Sequence, residues 1–120
     1  MDIDPQIEQR LQTEHNIWLA TTRPNGNPHL APIWFVWQDE KVYLCTGSQS
    51  VKARNMVANP NVELSLEDAN TPIVIEGQAR SIETVDQSVV EAFRHKFDWD
   101  ITSDSQYNDV IEITPRRIRA

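Results

Sequence analysis

The sequence predicts a mainly β protein, an antiparallel barrel with short helices attached. Three observations predict it. Short apolar runs recur along the chain, at Ile17–Thr22, His29–Trp37, Lys41–Thr46, Val62–Leu66, Ile73–Ile82 and Val110–Thr114. The turns at Asn25-Gly26 and Asp39-Glu40 are too short for a crossover helix, so the runs they join are antiparallel. Helical periodicity is confined to three short segments. The 120 residues suit one compact domain, 1–120.

In chain order, Asp4 caps a first helix and Pro5 occupies its first position. Ile3, Ile7 and Leu11 share one face, which would lid the barrel. Ile17 to Thr22 forms a strand. Asn25-Gly26 is the strongest hairpin signal, since both residues tolerate positive φ. The returning strand, His29 to Trp37, is apolar on both faces over Ile33-Trp34-Phe35-Val36-Trp37. A strand with one wet face would alternate, so a cofactor ring or a second subunit is expected over the face opposite the core. Asp39-Glu40 turns the chain into Lys41–Thr46.

The next helix starts after Ser50, a natural N-cap, and packs Ala53, Met56 and Val57 inward. Asn59-Pro60 stops it. Val62 to Leu66 alternates as a strand. Ile73 to Ile82 follows, two-faced at its start, and its Gly77 marks a bulge or a close backbone approach. Thr84 and Gln87 form a capping box for a helix with Val85, Val89, Phe93 and Phe97 on one stripe. Arg94, His95 and Lys96 suit its last turn. Thr102 to Asp109 is a loop, and Pro115 ends the strand Val110–Thr114.

The β-loop-helix stretch Thr46-Gly47-Ser48-Gln49-Ser50-Val51-Lys52-Ala53-Arg54 is the richest in chemistry. Lys52 and Arg54 fall near the helix start, where the macrodipole favours acids. No acid lies between Lys41 and Val62. Two cations there make sense with an anion at the helix end, where open N–H groups and hydroxyls form a phosphate site. Exposed lysines and arginines are also common on helix surfaces, and the misplacement costs only ~0.3–1 kcal/mol.

Thr46, Ser50, Lys52, Arg54, Asn55, Asn59 and Pro60 stand in a pattern that resembles the flavoproteins of the pyridoxamine-phosphate-oxidase superfamily. Upstream, Arg23 to His29 and then Pro32 to Phe35 are similar to that family's hairpin and flavin-facing strand. The resemblance implies an antiparallel FMN-binding split barrel, dimeric, with flavin between subunits. It implies an FMN-dependent oxidoreductase acting on a small molecule. The alternatives are a deazaflavin-dependent reductase of the same fold and a flavin-binding protein without turnover. Ser50, Lys52 and Arg54 would hold the phosphate. Ala31, Pro32, Ile33, Trp34, Phe35, Thr46 and Gly47 would line the ring. Trp99 either caps its helix end or covers the ring from the partner subunit. The longer vitamin-synthesising oxidases carry a basic residue two positions before the stretch matched here by Pro32 to Trp34. Here the preceding residues are Leu30 and Ala31, and the long C-terminal section is missing, so the resemblance stops short of their substrate.

Eleven basic and 18 acidic residues give a net charge of −7. This balance opposes nucleic-acid and anionic-membrane partners, which need a basic footprint. Cys45 is the single cysteine, so no internal disulfide forms, and it reads as a small buried hydrophobe. With no signal-like apolar segment and no run approaching ~20 apolar residues, a cytoplasmic protein is expected. His15, His29 and His95 are scattered, so no metal site is expected. His29 either acts beside the flavin or is a hydrogen-bonded strand-end residue. Arg116, Arg117 and Arg119 read as a solvated tail, with contact to the partner subunit or to a substrate anion as the alternative.

Overall fold

The computed structural model describes residues 2–120 as one seven-stranded antiparallel sheet, strongly curled, with three α-helices. The elements are α1 (Pro5–Thr13), β1 (Asn16–Thr22), β2 (Pro28–Trp34), β3 (Val36–Gln38), β4 (Lys41–Thr46), α2 (Val51–Ala58), β5 (Asn61–Ser65), β6 (Val74–Ile82), α3 (Gln87–Phe97) and β7 (Asp109–Arg119). The strand order is β2-β1-β5-β6-β7-β4-β3. This is a half-open barrel, the mainly β architecture the sequence predicts.

The run His29–Trp37 is not one strand. It breaks at Phe35 into β2 and β3, which lie at opposite ends of the sheet. The chain thus passes from one edge to the other and draws the sheet closed. Phe35 anchors the crossing: its ring is fully buried, and its N–H donates to the His15 carbonyl at 3.2 Å. The expectation that a cofactor ring or a second subunit covers the face opposite the core is corrected for Val36 and Trp37, which are both buried within the chain. Trp37 lies in the barrel interior with Leu19, Val42, Leu64 and Ile113. Val36 lies in a second cluster with Tyr43, Cys45, Val89, Val90 and Phe93. Helix α3 is the second layer, and β4 is buried on both faces for that reason. The remaining two-faced residues, Ile33 and Trp34, are partly open to solvent.

Helix α1 begins as expected, with the Asp4 carboxylate accepting from Gln6 N–H at 2.8 Å. It closes one end of the barrel through Leu11, and its Glu8 accepts from Trp37 Nε1 at 3.3 Å. The β1–β2 loop is a four-residue turn rather than a two-residue hairpin. Gly26 N–H donates to Arg23 O at 2.8 Å, Pro24 sits at the second position, and only Gly26 takes positive φ. The β3–β4 turn does place both central residues, Asp39 and Glu40, at positive φ, the twist a two-residue hairpin requires.

Three further expectations are corrected. Val57 is 82% exposed, and α2 instead buries Ala53, Asn55 and Met56. Asn55 Nδ2 donates to Thr21 Oγ1 at 3.1 Å, tying α2 to β1 in a buried contact. Helix α3 is capped by Asp86, whose carboxylate accepts from Ser88 N–H at 2.9 Å, and not by Thr84. Its first turn lies two residues later than the proposed box. Strand β7 continues through Pro115 to Arg119. A bulge between Glu76 and Gly77 sets Gly77 opposite Pro115 and leaves Arg116 extra. Proline's missing N–H is tolerated at such an irregularity. Gly77 is required there, since a Cβ would lie 2.7 Å from the Thr114 carbonyl oxygen. The C-terminal arginines are therefore strand residues. Arg119 pairs with Glu76 at 2.9 Å and Glu63 at 3.3 Å.

Candidate functional site

Ser50 caps α2 as the sequence implies: its hydroxyl accepts from Ala53 N–H at 3.2 Å. The same hydroxyl shares a 2.9 Å hydrogen bond with Thr46, which is fully buried at the end of β4. A rigid strand thereby fixes where the helix begins. The first turn contains no acid. The Val51 and Lys52 N–H groups have no acceptor within the helix at these positions. Among the described residues neither Lys52 nor Arg54 forms an ion pair. The helix start is electropositive and uncompensated.

Beside it opens a cavity of about 700 Å³, within the range of small-molecule sites. Its walls come from β2, the first turn of α2 and the segment after α3. Four aromatic rings dominate. Trp34 stacks on Phe97, with centroids 4.6 Å apart and planes 7° from parallel. Trp99 meets Trp34 edge-on at 6.2 Å, and Tyr107 meets Trp99 edge-on at 5.8 Å. Pro32 and Ile33 add apolar surface. The polar lining is Asn16, Lys52, Asp98 and Asp104, with Cys45 alongside.

The backbone after α3 explains how the aromatic wall forms. Asp98 ends α3 in the left-handed region, φ 52°, and turns the chain back. Trp99 follows, and its Nε1 donates to Asp104 at 3.0 Å. The other Asp104 oxygen accepts from Gln106 and Tyr107 N–H groups, both at 2.9 Å. These bonds, from the Tyr107 N–H foremost, hold the Asp104 carboxyl below the usual carboxylate range. Burial pushes the Cys45 thiol up to about 12, with the Asp104 and Asp109 charges adding to it, so it stays protonated at neutral pH.

Of the residues singled out from sequence, Pro32, Ile33, Trp34, Lys52 and Trp99 come together on the cavity wall. Thr46, Gly47 and Ser50 stand behind it as its framework. Gly47 packs against the far loop, where a Cβ would meet Gln106 O at 3.1 Å. Ala31, on β2, pairs with Leu19 of β1 and is half-buried outside the lining. Phe35 is placed elsewhere: its ring lies in the core, with Lys96 Nζ 4.1 Å from its centroid. Arg54 is exposed and outside the lining. Among the described residues His29 Nδ1 is buried without a hydrogen-bond partner. Sequence reasoning missed Asn16, Cys45, Phe97, Asp98, Asp104 and Tyr107. Of these only Asp104 has a local signal, an aspartate placed to accept from backbone N–H groups two and three residues on.

A second polar cluster serves the fold. Buried Glu112 on β7 accepts from Tyr43 at 2.9 Å and Arg80 at 2.8 Å, with Lys41 at 3.7 Å. Among the described residues no group of three or more metal-ligating side chains occurs, and no helix is long and apolar enough to cross a membrane.

A curled antiparallel barrel with an aromatic cavity at an electropositive helix start defines a split barrel with a candidate ligand site. The chain belongs to the pyridoxamine 5'-phosphate oxidase family, whose pattern matches residues 3–120. No curated protein matches. Among solved structures, a conserved hypothetical protein of Mycobacterium tuberculosis is 26% identical, with a TM-score of 0.81 over 99% of this chain and 84% of that one. An F420 reductase is 22% identical, with a TM-score of 0.78 over 98% of both chains. HutZ, the heme storage protein of Vibrio cholerae, is 19% identical, with a TM-score of 0.81 over 100% of this chain and 95% of that one.

Proposed function

We propose that this protein is a homodimeric FMN-dependent oxidoreductase acting on a small molecule. The observation that carries the reading is the conjunction of Lys52 at an acid-free helix start with a cavity walled by aromatic rings. Phosphate matches the first, and a flat heteroaromatic ring matches the second. The residues present fit the group. Lys52 and the first-turn N–H groups would hold the phosphate, with Ser50 fixing the turn. Trp34 and Trp99 would line one side of the ring. The bound flavin would supply hydride or electron transfer. The protein would position it, keep water from its faces and set the local charge.

The outer face of β1 and β2 supports the dimer. Trp18, Leu30, Pro32 and Trp34 are exposed there, on the same side by register. β2 is also an end strand of the sheet. A second copy would cover this apolar face and complete the cavity wall beside Trp34.

The fold neighbours bind different groups by name, so the cofactor is the point to test. Haem fits less well. The lining holds no histidine, and its one thiol is held protonated. The test is the absorbance spectrum of the purified protein, followed by titration of the cofactor-free form with FMN, deazaflavin and haem. Saturable FMN binding supports the reading. Preference for deazaflavin or haem, or binding of none, overturns it.

A further inference from the structure

The cavity has an acidic side that the cofactor leaves unused, and we infer that its substrate is a planar organic cation. The inference rests on the flavin reading in one respect: the phosphate takes Lys52. Lys52 is the one cation among the lining residues. Once it faces a phosphate, the remaining charged lining is Asp98 and Asp104.

Both carboxylates adjoin aromatic rings. Asp104 holds the Trp99 indole at 3.0 Å, and Tyr107 stands edge-on to that indole at 5.8 Å. Asp98 immediately precedes Trp99 and has no ion-pair partner among the described residues. Arg94, on the preceding turn of α3, is paired instead with Asp100 at 3.5 Å. Tyr107 is 47% exposed, so its face is available to a ligand. Indole and phenol faces attract cations, and nearby carboxylates add to that attraction. An anionic substrate would meet two carboxylates and negative ring faces. A neutral one would form no ion pair with either carboxylate. The three hydrogen bonds Asp104 accepts keep it ionised, so this preference persists into mildly acidic solution.

The test uses three flat bicyclic probes: 1-methylquinolinium, quinoline and 2-naphthoate. Each is titrated by tryptophan fluorescence into FMN-loaded protein and into cofactor-free Lys52→Ala protein. The expected order is cation over neutral over anion in both. Asp98→Asn should weaken the cation by about fivefold, the size of one partly solvated charge pair, and leave quinoline unchanged. Asp104→Asn should also weaken the cation and shift tryptophan emission, because the Trp99 hydrogen bond is altered. Equal affinity for the three probes, tighter 2-naphthoate, or loss of quinoline together with the cation in Asp98→Asn would overturn the inference. The cofactor-free arm keeps this outcome separate from failure of the FMN reading. Cation preference there without FMN binding elsewhere would overturn only the latter.

Discussion

Replacing Lys52 by alanine tests the grip on the phosphate directly. Lys52 lies at the second position of α2, half-buried on the cavity wall, in a first turn with no acid. A charge-assisted hydrogen bond of this kind contributes ~1.5–3 kcal/mol, so FMN affinity should fall roughly tenfold to a hundredfold. Riboflavin lacks the phosphate and should bind the native protein weakly and the variant equally weakly. Without cofactor the sign reverses. The lysine opposes the helix dipole, so its removal should stabilise the empty protein by ~0.3–1 kcal/mol. Alanine's higher helix propensity acts in the same direction. Added salt should loosen FMN more than riboflavin. Isothermal titration with both ligands, and thermal melts of the empty protein, read these terms separately. Equal losses of FMN and riboflavin affinity would show that Lys52 supports the ring or the fold and would refute the argument.

The remaining predictions concern assembly, pH and packing. Trp34→Glu should give a folded monomer with weakened flavin binding, since Trp34 is half-exposed and its ring contacts, with Phe97 and Trp99, lie at the cavity wall rather than in the core. Sedimentation showing an intact dimer would contradict the proposed interface. Trp37 is unsuitable for that experiment because it is a core residue bonded to Glu8. Lys96 is held down to about 8 by burial, with Glu14 opposing, so the folded protein penalises its charged form. The unfolded chain binds more protons between about pH 8 and the ordinary lysine value, so this group's contribution to stability rises with pH across that window. Lys96→Met should therefore gain most over the native protein below pH 8 and lose that advantage above it; urea midpoints showing a pH-independent difference would contradict this. Gly77→Ala should cost about 1–3 kcal/mol, because its Cβ would overlap the Thr114 carbonyl in the bulge. An unchanged urea midpoint would mean the bulge relaxes freely.

What was legible in the sequence were local features. Asp4-Pro5, Ser50 and Gly77 each act within a few residues of themselves, and each does in the structure what its type implies. The break at Phe35 was hidden because nothing local marks it. Ile33 to Trp37 is a continuous apolar run, and the chain leaves one sheet edge for the other because the curled sheet brings those edges together. The same run misled the burial argument: α3 supplies the second layer over Val36, and its place over β3 and β4 is a tertiary fact. The cap of α3 was misplaced by two residues because Thr84 and Asp86 are both good caps, and packing of Val89, Val90 and Phe93 selects between them. Half of the cavity was missed for a related reason. Asp98, Asp104 and Tyr107 lie in a polar stretch without periodicity, and only the left-handed turn at Asp98 brings them opposite Lys52.

That turn also ties the two halves of the site together. Asp104 fixes Trp99 and, through its bonds to the 106 and 107 N–H groups, shapes the loop that reaches the start of α2. There Ser48 N–H donates to Asn108 Oδ1 at 3.2 Å, and Gly47 allows Gln106 O its close approach. Two residues further on, Ser50 caps α2 and bonds Thr46. The aromatic wall and the electropositive helix start are thus braced against each other through one run of backbone contacts. A ligand that touches both, with a flat ring at one end and a phosphate at the other, meets a pre-arranged distance between them. Rings alone or anions alone would use half of the geometry, and this is the physical reason the proposed flavin mononucleotide would suit the cavity better than either part separately.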